Sequence, residues 1–284
     1  MDNYNEITVG YWSTKGLGSA TRQMVIYSGT PLKAKIYKLL TISNNNNLDF
    51  DGSSWHDNDK KILKKRNSLI NLPYIDLKDK NNNDILISQS NACLSYLGRK
   101  FNMFGSNNSE MSQCEQLLNE TVDLRNLITS FAYTHFSDQK EENNQANEVF
   151  KKAFENSNLG KIQKFECWIK LNKNTDNFFL VNNKISAADF NLFDVLDFYF
   201  EFIKHYSFAK NTDFDKILIE LGFPFLSKFY LNFKKLPQMK KYFNSILYKL
   251  PYTNKSANFG SGINGNSWDF QIQIDETPDE ILIK

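Results

Sequence analysis

Apolar and polar residues alternate with a period of two along EITVGYW, residues 6–12, before a glycine-containing turn, STKGLG, so a strand is predicted to run into a turn. The next stretch, SATRQMVIYSG, places Met24, Val25 and Tyr27 at helical spacing and stops at Gly29. LKAKIYKLL alternates again, predicting a second strand over 32–40. SSWHDNDKKILKK then opens with serine and aspartate capping chemistry ahead of a basic helical face. Two short β-rich runs, Tyr74 to Leu77 and Ile85 to Ile87, flank a polar turn and predict a hairpin. QSNACLSYLGRKF returns to helical spacing through Ala92, Cys93, Tyr96 and Leu97.

The order β-α-β-α-β-β-α over the first hundred or so residues is that of thioredoxin-like folds, a parallel βαβ unit followed by an antiparallel pair. Periodicity stops at FNMFGSNNSEMS, where a linker is expected. Beyond it Leu117, Leu118, Thr121, Leu124, Ile128 and Phe131 follow the spacing of an amphipathic helix, with further helical patterns near 142–171 and 225–249. Ile185-Ser186-Ala187-Ala188-Asp189-Phe190 is a helix start in which Ser186 caps, Asp189 reaches back and Ile185 staples onto Phe190. Its continuation, NLFDVLDFYFEFI, is apolar nearly all round and belongs at the centre of a bundle. The expected architecture is therefore multi-domain α+β. A thioredoxin-like domain over 1–102 precedes an all-α bundle over 109–250, and 251–284 form an irregular tail.

Composition adds limits. The formal charge of +2 is too small to favour a nucleic-acid or anionic-membrane partner. Cys93, Cys114 and Cys167 are an odd number in helical segments, which reads as buried thiols in a reducing compartment, not a disulfide framework. No run of about 18 apolar residues exists, and the start has no signal-like pattern, so a cytoplasmic protein without a membrane span is expected. The asparagine runs at 44–47 and 81–83 read as solvated loops. His56, His135 and His205 have no ligand-spaced partners, so no metal is expected. Gly16-Leu17-Gly18 lacks the remaining features of a phosphate loop. Where a thioredoxin-like domain places C-x-x-C, this chain has Tyr11-Trp12-Ser13-Thr14. Dithiol exchange is excluded, and the Tyr11 hydroxyl becomes the polar group at the strand end.

GYWSTKGLGSATR, DFDGSSW around Trp55, INLPY, ISQSNACLSYL and NKISAADFNLFDVLD, in that order, resemble a glutathione S-transferase of the mu class. The resemblance spans about residues 5–260. It implies glutathione as co-substrate, no prosthetic cofactor, small hydrophobic electrophiles as second substrates and a homodimer. It assigns Tyr11 to the sulfur, and Trp12, Leu17, Trp55, Lys60, Asn71, Leu72, Pro73, Gln89 and Ser90 to the tripeptide. Asp123 corresponds to the residue that reaches the glutathione amine in the partner subunit, and Tyr133 to the tyrosine that faces the electrophile.

Each of these residues also has a structural reading. Ser88, Gln89 and Ser90 can simply cap a helix, Pro73 can start a strand, and Tyr133 can be a core aromatic. Three extra residues between Trp55 and Asn71 leave Lys60, Lys61 and Lys64 as alternatives for the glycyl end. Gly52 stands where the family often has an arginine, and Leu69 where many members have an aromatic dimer key. These departures keep two other functions in view: a non-catalytic carrier of hydrophobic ligands or scaffold, and a glutathione-dependent isomerase or peroxidase.

Overall fold

The computed structural model describes residues 6–44, 47–79, 81–155, 160–172, 178–261 and 274–284. The chain forms two compact units, Met1–Leu97 with Pro237–Lys284, and Gly98–Leu236.

In the first unit β1 (Ile7–Trp12), α1 (Ser19–Tyr27) and β2 (Leu32–Tyr37) make the predicted parallel unit. A hairpin of β3 (Leu40–Asn44) and β4 (Asn47–Asp51) follows, then a wide helical turn over Ser54–Asp59 that runs into α2 (Lys60–Leu63). β5 (Tyr74–Lys78), β6 (Asp84–Ser88) and α3 (Ser90–Lys100) complete the expected order. The sheet order is β6-β5-β1-β2-β7, where β7 is Glu280–Ile283, and only β1 and β2 run parallel. Ile7, Val9, Leu32, Ala34 and Ile75 are at most 1% exposed, so the alternation seen in the sequence is the inward face of this sheet.

The second unit contains α4 (Asn108–Ala132), α5 (Gln139–Phe154), α6 (Lys161–Leu171), α7 (Ala187–His205), α8 (Phe214–Glu220) and α9 (Pro224–Lys234). α7 runs through its centre, with 15 of its residues buried, Ala187 to Tyr199 together with Phe202 and Ile203. Its start is the predicted capping box: the Ser186 hydroxyl and backbone N–H donate to Asp189 Oδ2 at 2.6 and 2.7 Å, and the Leu180 N–H donates to Oδ1 at 2.9 Å. A buried Arg125–Asp194 ion pair joins α4 to α7, and the Tyr199 hydroxyl donates to the Leu124 carbonyl at 3.0 Å.

Several expectations need correction. The second strand ends at Tyr37 instead of reaching residue 40, and the asparagine run near 44–47 is drawn into the β3–β4 hairpin, with Asn44 opposite Asn47 and residues 45 and 46 outside the described set. The helical pattern at 225–249 breaks at Pro237, which has no N–H to continue the ladder, into α9, α10 (Lys240–Phe243) and α11 (Ile246–Lys249). Residues 237–250 also join the first unit and not the bundle, because Tyr242 bonds to Ser19 of α1 at 2.7 Å. The tail is not irregular throughout, since β7 pairs antiparallel with β2 from Leu32↔Ile283 to Lys35↔Glu280. Cys93 and Cys114 are buried as expected, but Cys167 is half-buried.

Candidate active site

β-sheet register assembles the site. Gly10 of β1 lies opposite Tyr74 of β5, which in turn lies opposite Ser88 of β6. One step beyond that row stand Tyr11, Pro73 and Gln89, so three segments far apart in sequence reach the same end of the sheet. Gly10 permits the close row: a Cβ there would lie 2.1 Å from Cε1 of the Tyr74 ring. The Leu72–Pro73 peptide is cis, and Tyr74 begins β5 directly after it.

Tyr11 is 9% exposed and is packed beneath the turn that follows β1. A Cβ at Gly16 would stand 2.8 Å from its hydroxyl oxygen, and one at Gly18 2.6 Å from its Cβ and Cγ. The two glycines thus have a reason in the structure unrelated to phosphate, for they let the turn close over the phenol ring. Gly16 also has φ +38°, a region that disfavours side chains. Arg22 of α1 reaches back to the Thr14 and Trp12 carbonyls at 2.9 and 3.1 Å, with its guanidinium carbon 5.9 Å from the Tyr11 ring centroid. Composition and periodicity did not single out Arg22. The signal available in the sequence is an arginine in the first turn of a helix, after Ser19, Ala20 and Thr21, directly following a glycine loop.

Beside Tyr11, Leu17 is exposed and Trp12 is half-buried. Trp12 packs on a cluster of Tyr37, Trp55, Ile70 and Tyr74, joined by Leu72. Trp55 is only 1% exposed and is stacked at 5.9 Å on Tyr74. The resemblance assigns it to the tripeptide; its ring is enclosed by Tyr37 and Tyr74. The Tyr37 hydroxyl donates to Asp59 at 2.6 Å and meets the Tyr74 hydroxyl at 2.8 Å, while Lys35 pairs with Asp59 at 2.6 Å. Burial, aided by this neighbourhood, pushes the Tyr74 phenol up to about 12 and Tyr37 higher still, so both stay neutral.

Gly52 stands where an arginine is common in the family, and a side chain there would lie tightly against its neighbours, of which His56 is exposed. A Cβ there would meet His56 Cδ2 at 3.0 Å and Trp12 Cη2 at 3.3 Å. Lys60 is half-buried, Lys64 is exposed, and Lys61 pairs with Asp57 at 3.0 Å on the surface.

Asn71 and Gln89 are exposed, and Ser90 is half-buried. Gln89 has φ +77°, a left-handed conformation costing on the order of 1 kcal/mol for a residue with a Cβ, and its carbonyl accepts the Cys93 N–H at 2.9 Å. α3 therefore starts abruptly from the sheet end, its first N–H groups directed out along the axis. Ser88 does not cap it, since its hydroxyl donates instead to the Leu69 carbonyl at 3.1 Å.

The remaining two predicted residues belong to the second unit. Asp123 of α4 has a 60% exposed side chain, 3.8 Å from Lys161 Nζ. Tyr133 caps the C-terminus of α4 and is 39% exposed, so it is not a core aromatic. A cavity of about 470 Å³ in this unit is lined by Gln139, Asn143, Asn147, His205, Tyr206 and Phe208, a predominantly polar set. Among the described residues no cluster of His, Cys, Asp or Glu is arranged to hold a metal ion, and no helix is long and apolar enough to cross a membrane.

A family model described as the C-terminal domain of glutathione S-transferase matches residues 122–246. The chain is 29% identical over 262 residues to human glutathione S-transferase Mu 3, covering 92% of this chain and 98% of that protein. It is 30% identical over 199 residues to the class-mu 26 kDa glutathione S-transferase isozyme of Schistosoma mansoni, covering 70% of this chain and 85% of that one. The crystal structure of the glutathione S-transferase Blo t 8 superposes with a TM-score of 0.63 over 89% of this chain and 99% of that chain; at 17% identity it speaks for the fold, a thioredoxin-like domain followed by a helical one. Identity over most of the relatives' length, on a sheet that gathers the matching segments at one end, shows that this chain is an enzyme of the glutathione S-transferase family, in its mu class.

Proposed function

We propose that the protein is a cytosolic, homodimeric transferase that joins the sulfur of glutathione to small hydrophobic electrophiles, with the Tyr11 hydroxyl stabilising the thiolate. The observation that carries this reading is the register that sets Tyr11, the cis Leu72–Pro73 peptide and the abrupt start of α3 side by side. A free thiol with a pKa of about 8.5 is only a few per cent ionised at neutral pH, so the enzyme must favour its anion. A neutral phenol donates a hydrogen bond to that sulfur, and the nearby Arg22 guanidinium adds favourable charge. Lowering the thiol pKa by about two needs roughly 2.7 kcal/mol of preferential stabilisation, within reach of one desolvated bond and a neighbouring cation.

In this reading the first unit is the glutathione-binding domain. The γ-glutamyl carboxylate meets the N-terminus of α3 at Gln89 and Ser90, where backbone N–H groups and the helix dipole favour an anion. The backbone around Leu72 pairs with the peptide part, and Trp12 and Leu17 flank it. Asn71 belongs to the same segment, and one of Lys60, Lys61 and Lys64 receives the glycyl end, with Trp55 supporting that wall from behind. Asp123 serves the glutathione amine of the partner subunit, and Tyr133 donates to charge developing on the electrophile. Leu69, 79% exposed, supports an apolar anchor for the second copy, and sedimentation velocity that shows only monomer at micromolar concentration would remove the dimer from the proposal.

Replacement of Tyr11 by Phe is the direct test. The expected result is a rate at pH 7 lower by roughly tenfold or more and a raised apparent pKa of the bound thiol. An unchanged rate and thiol pKa would reject the assignment. Gly52 gives the carrier reading one observation in its favour, the lack of an arginine at that position for the glycyl carboxylate. Calorimetry separates the two: glutathione binding supports the transferase, whereas no glutathione binding with uptake of an apolar dye supports the carrier. Isomerase or peroxidase activity would use the same thiolate and is read out with the corresponding substrates.

A further inference from the structure

The turn that closes over Tyr11 is fastened by residues some 240 positions away in sequence. The Lys15 N–H donates to the Pro251 carbonyl at 2.6 Å, and the Gly16 N–H donates to the Tyr252 carbonyl at 3.1 Å. The Lys15 side chain is held at the same place. Its ammonium donates to the Tyr252 hydroxyl at 2.8 Å and lies 4.0 and 4.2 Å from the ring centroids of Tyr252 and Tyr248. Lysine is almost never so fully buried without partners, and here, at 5% exposure, it has a phenol oxygen and two aromatic faces. Tyr252 is itself 3% exposed, and its N–H donates to the Gly260 carbonyl at 3.2 Å.

On its other side the same turn touches the phenol. Gly16 approaches the Tyr11 hydroxyl so closely that a Cβ would fall 2.8 Å from the oxygen. Any displacement of Gly16 is therefore transmitted to the one hydroxyl whose placement matters for the chemistry. The bonds from Lys15 and Gly16 to residues 251 and 252 fix that position from outside the β1–α1 segment.

We infer that Lys15, Tyr248 and Tyr252 are positioning residues that hold the Tyr11 hydroxyl in register with the sulfur of bound glutathione. The inference rests on the function proposed above and extends it to residues of the C-terminal segment. Hydrogen bonding is steep in distance and angle, and a shift of about 1 Å at a reacting centre costs roughly a hundredfold in rate. Loosening the clamp should therefore lower turnover while leaving the surfaces that bind the tripeptide intact.

The test uses the full chain with glutathione and chlorodinitrobenzene, and compares Lys15→Met, Lys15→Arg, Tyr252→Phe and Tyr11→Phe. Lys15→Met is expected to lower kcat about tenfold and raise the apparent pKa of the bound thiol, with the glutathione Kd within about twofold of the parent. Lys15→Arg keeps a cation over the rings and should recover most of the loss. In a Tyr11→Phe background Lys15→Met should have almost no further effect on kcat, since the group it positions is gone. Tyr252→Phe keeps the ring and removes only the hydroxyl, so it serves if Lys15→Met does not fold, with a smaller loss of the same kind expected. Unchanged kcat in folded Lys15→Met and Tyr252→Phe, or an equal loss with and without the Tyr11 hydroxyl, overturns the inference. If Tyr11→Phe itself leaves the bound thiol pKa unchanged, the proposed function fails first. If that variant behaves as expected and the clamp variants do not, only the clamp is wrong.

Discussion

At Gly10, Gly16 and Gly18 the missing side chain is what brings two tyrosine rings against the backbone, Tyr74 over the first and Tyr11 beneath the other two. The glycines are visible in the sequence, but the rings they accommodate are not, because the partners come together only through strand pairing and the turn. Trp55 shows the converse. Its place in DFDGSSW marks it for the ligand by resemblance, while packing against Tyr37 and Tyr74 encloses it. The cysteines divide on the same physical ground. Burial pushes the Cys93 and Cys114 thiols up to about 12, whereas Cys167 is half-buried, with the Gln163 amide 3.3 Å from its sulfur. Under native conditions iodoacetamide should label Cys167 first and reach Cys93 and Cys114 only on unfolding. Peptide mapping by mass spectrometry reads this order, and early labelling of Cys93 would contradict the burial.

At the scale of elements, the capped start of α7 was legible because a capping box is written in adjacent residues. Its electrostatics were not. Asp189 is fully enclosed, and desolvation outweighs its hydrogen bonds from Ser186 and Leu180, raising its pKa to about 7 from the usual 3.8. The folded state thus holds a proton that the unfolded chain releases between those values. The stability from this proton is fully present below about pH 4 and is lost as pH rises through about 7. Glu110, held below its ordinary value by the Ser106 backbone N–H, has the opposite sign. In urea unfolding the advantage of the parent over Asp189→Asn should shrink as pH increases from 5 to 8; an advantage that grows with pH would show that Asp189 is ionised in the fold. The long helical pattern at 225–249 misled in a different way, because apolar spacing continues through Pro237 although the backbone ladder does not.

For the molecule as a whole, the C-terminal segment belongs to the first unit. β7 covers the β2 edge, the Ile36 N–H donates to the Asp279 carbonyl at 2.8 Å, and Lys33–Glu280 and Lys38–Asp279 pair at 3.0 Å each. An open β2 would present unpaired backbone groups to a second chain. Deleting residues 279–284 should therefore cost on the order of 2 kcal/mol, from a few backbone hydrogen bonds at about 0.5–1.5 kcal/mol each, and increase self-association. Thermal unfolding and light scattering follow both effects. If neither changed, β7 would not be paired in solution. Asparagine, glycine and serine residues ahead of this strand hid it, because only four residues carry the pairing and their pattern is too short to stand out.

The sequence alone determined the order of strands and helices in the first hundred residues apart from the β3–β4 hairpin, the central helix of the second unit and the tyrosine at the end of β1. Periodicity and capping act between neighbours in the chain, and so these features can be read without the fold. Only the tertiary structure decided that Tyr11, Pro73 and Gln89 meet at one end of a sheet, that Trp55 is enclosed, and that Lys15 is caged by Tyr248 and Tyr252. Each depends on contacts between segments separated by many residues, whose closeness is set by strand register and chain closure and leaves no local trace in composition or spacing.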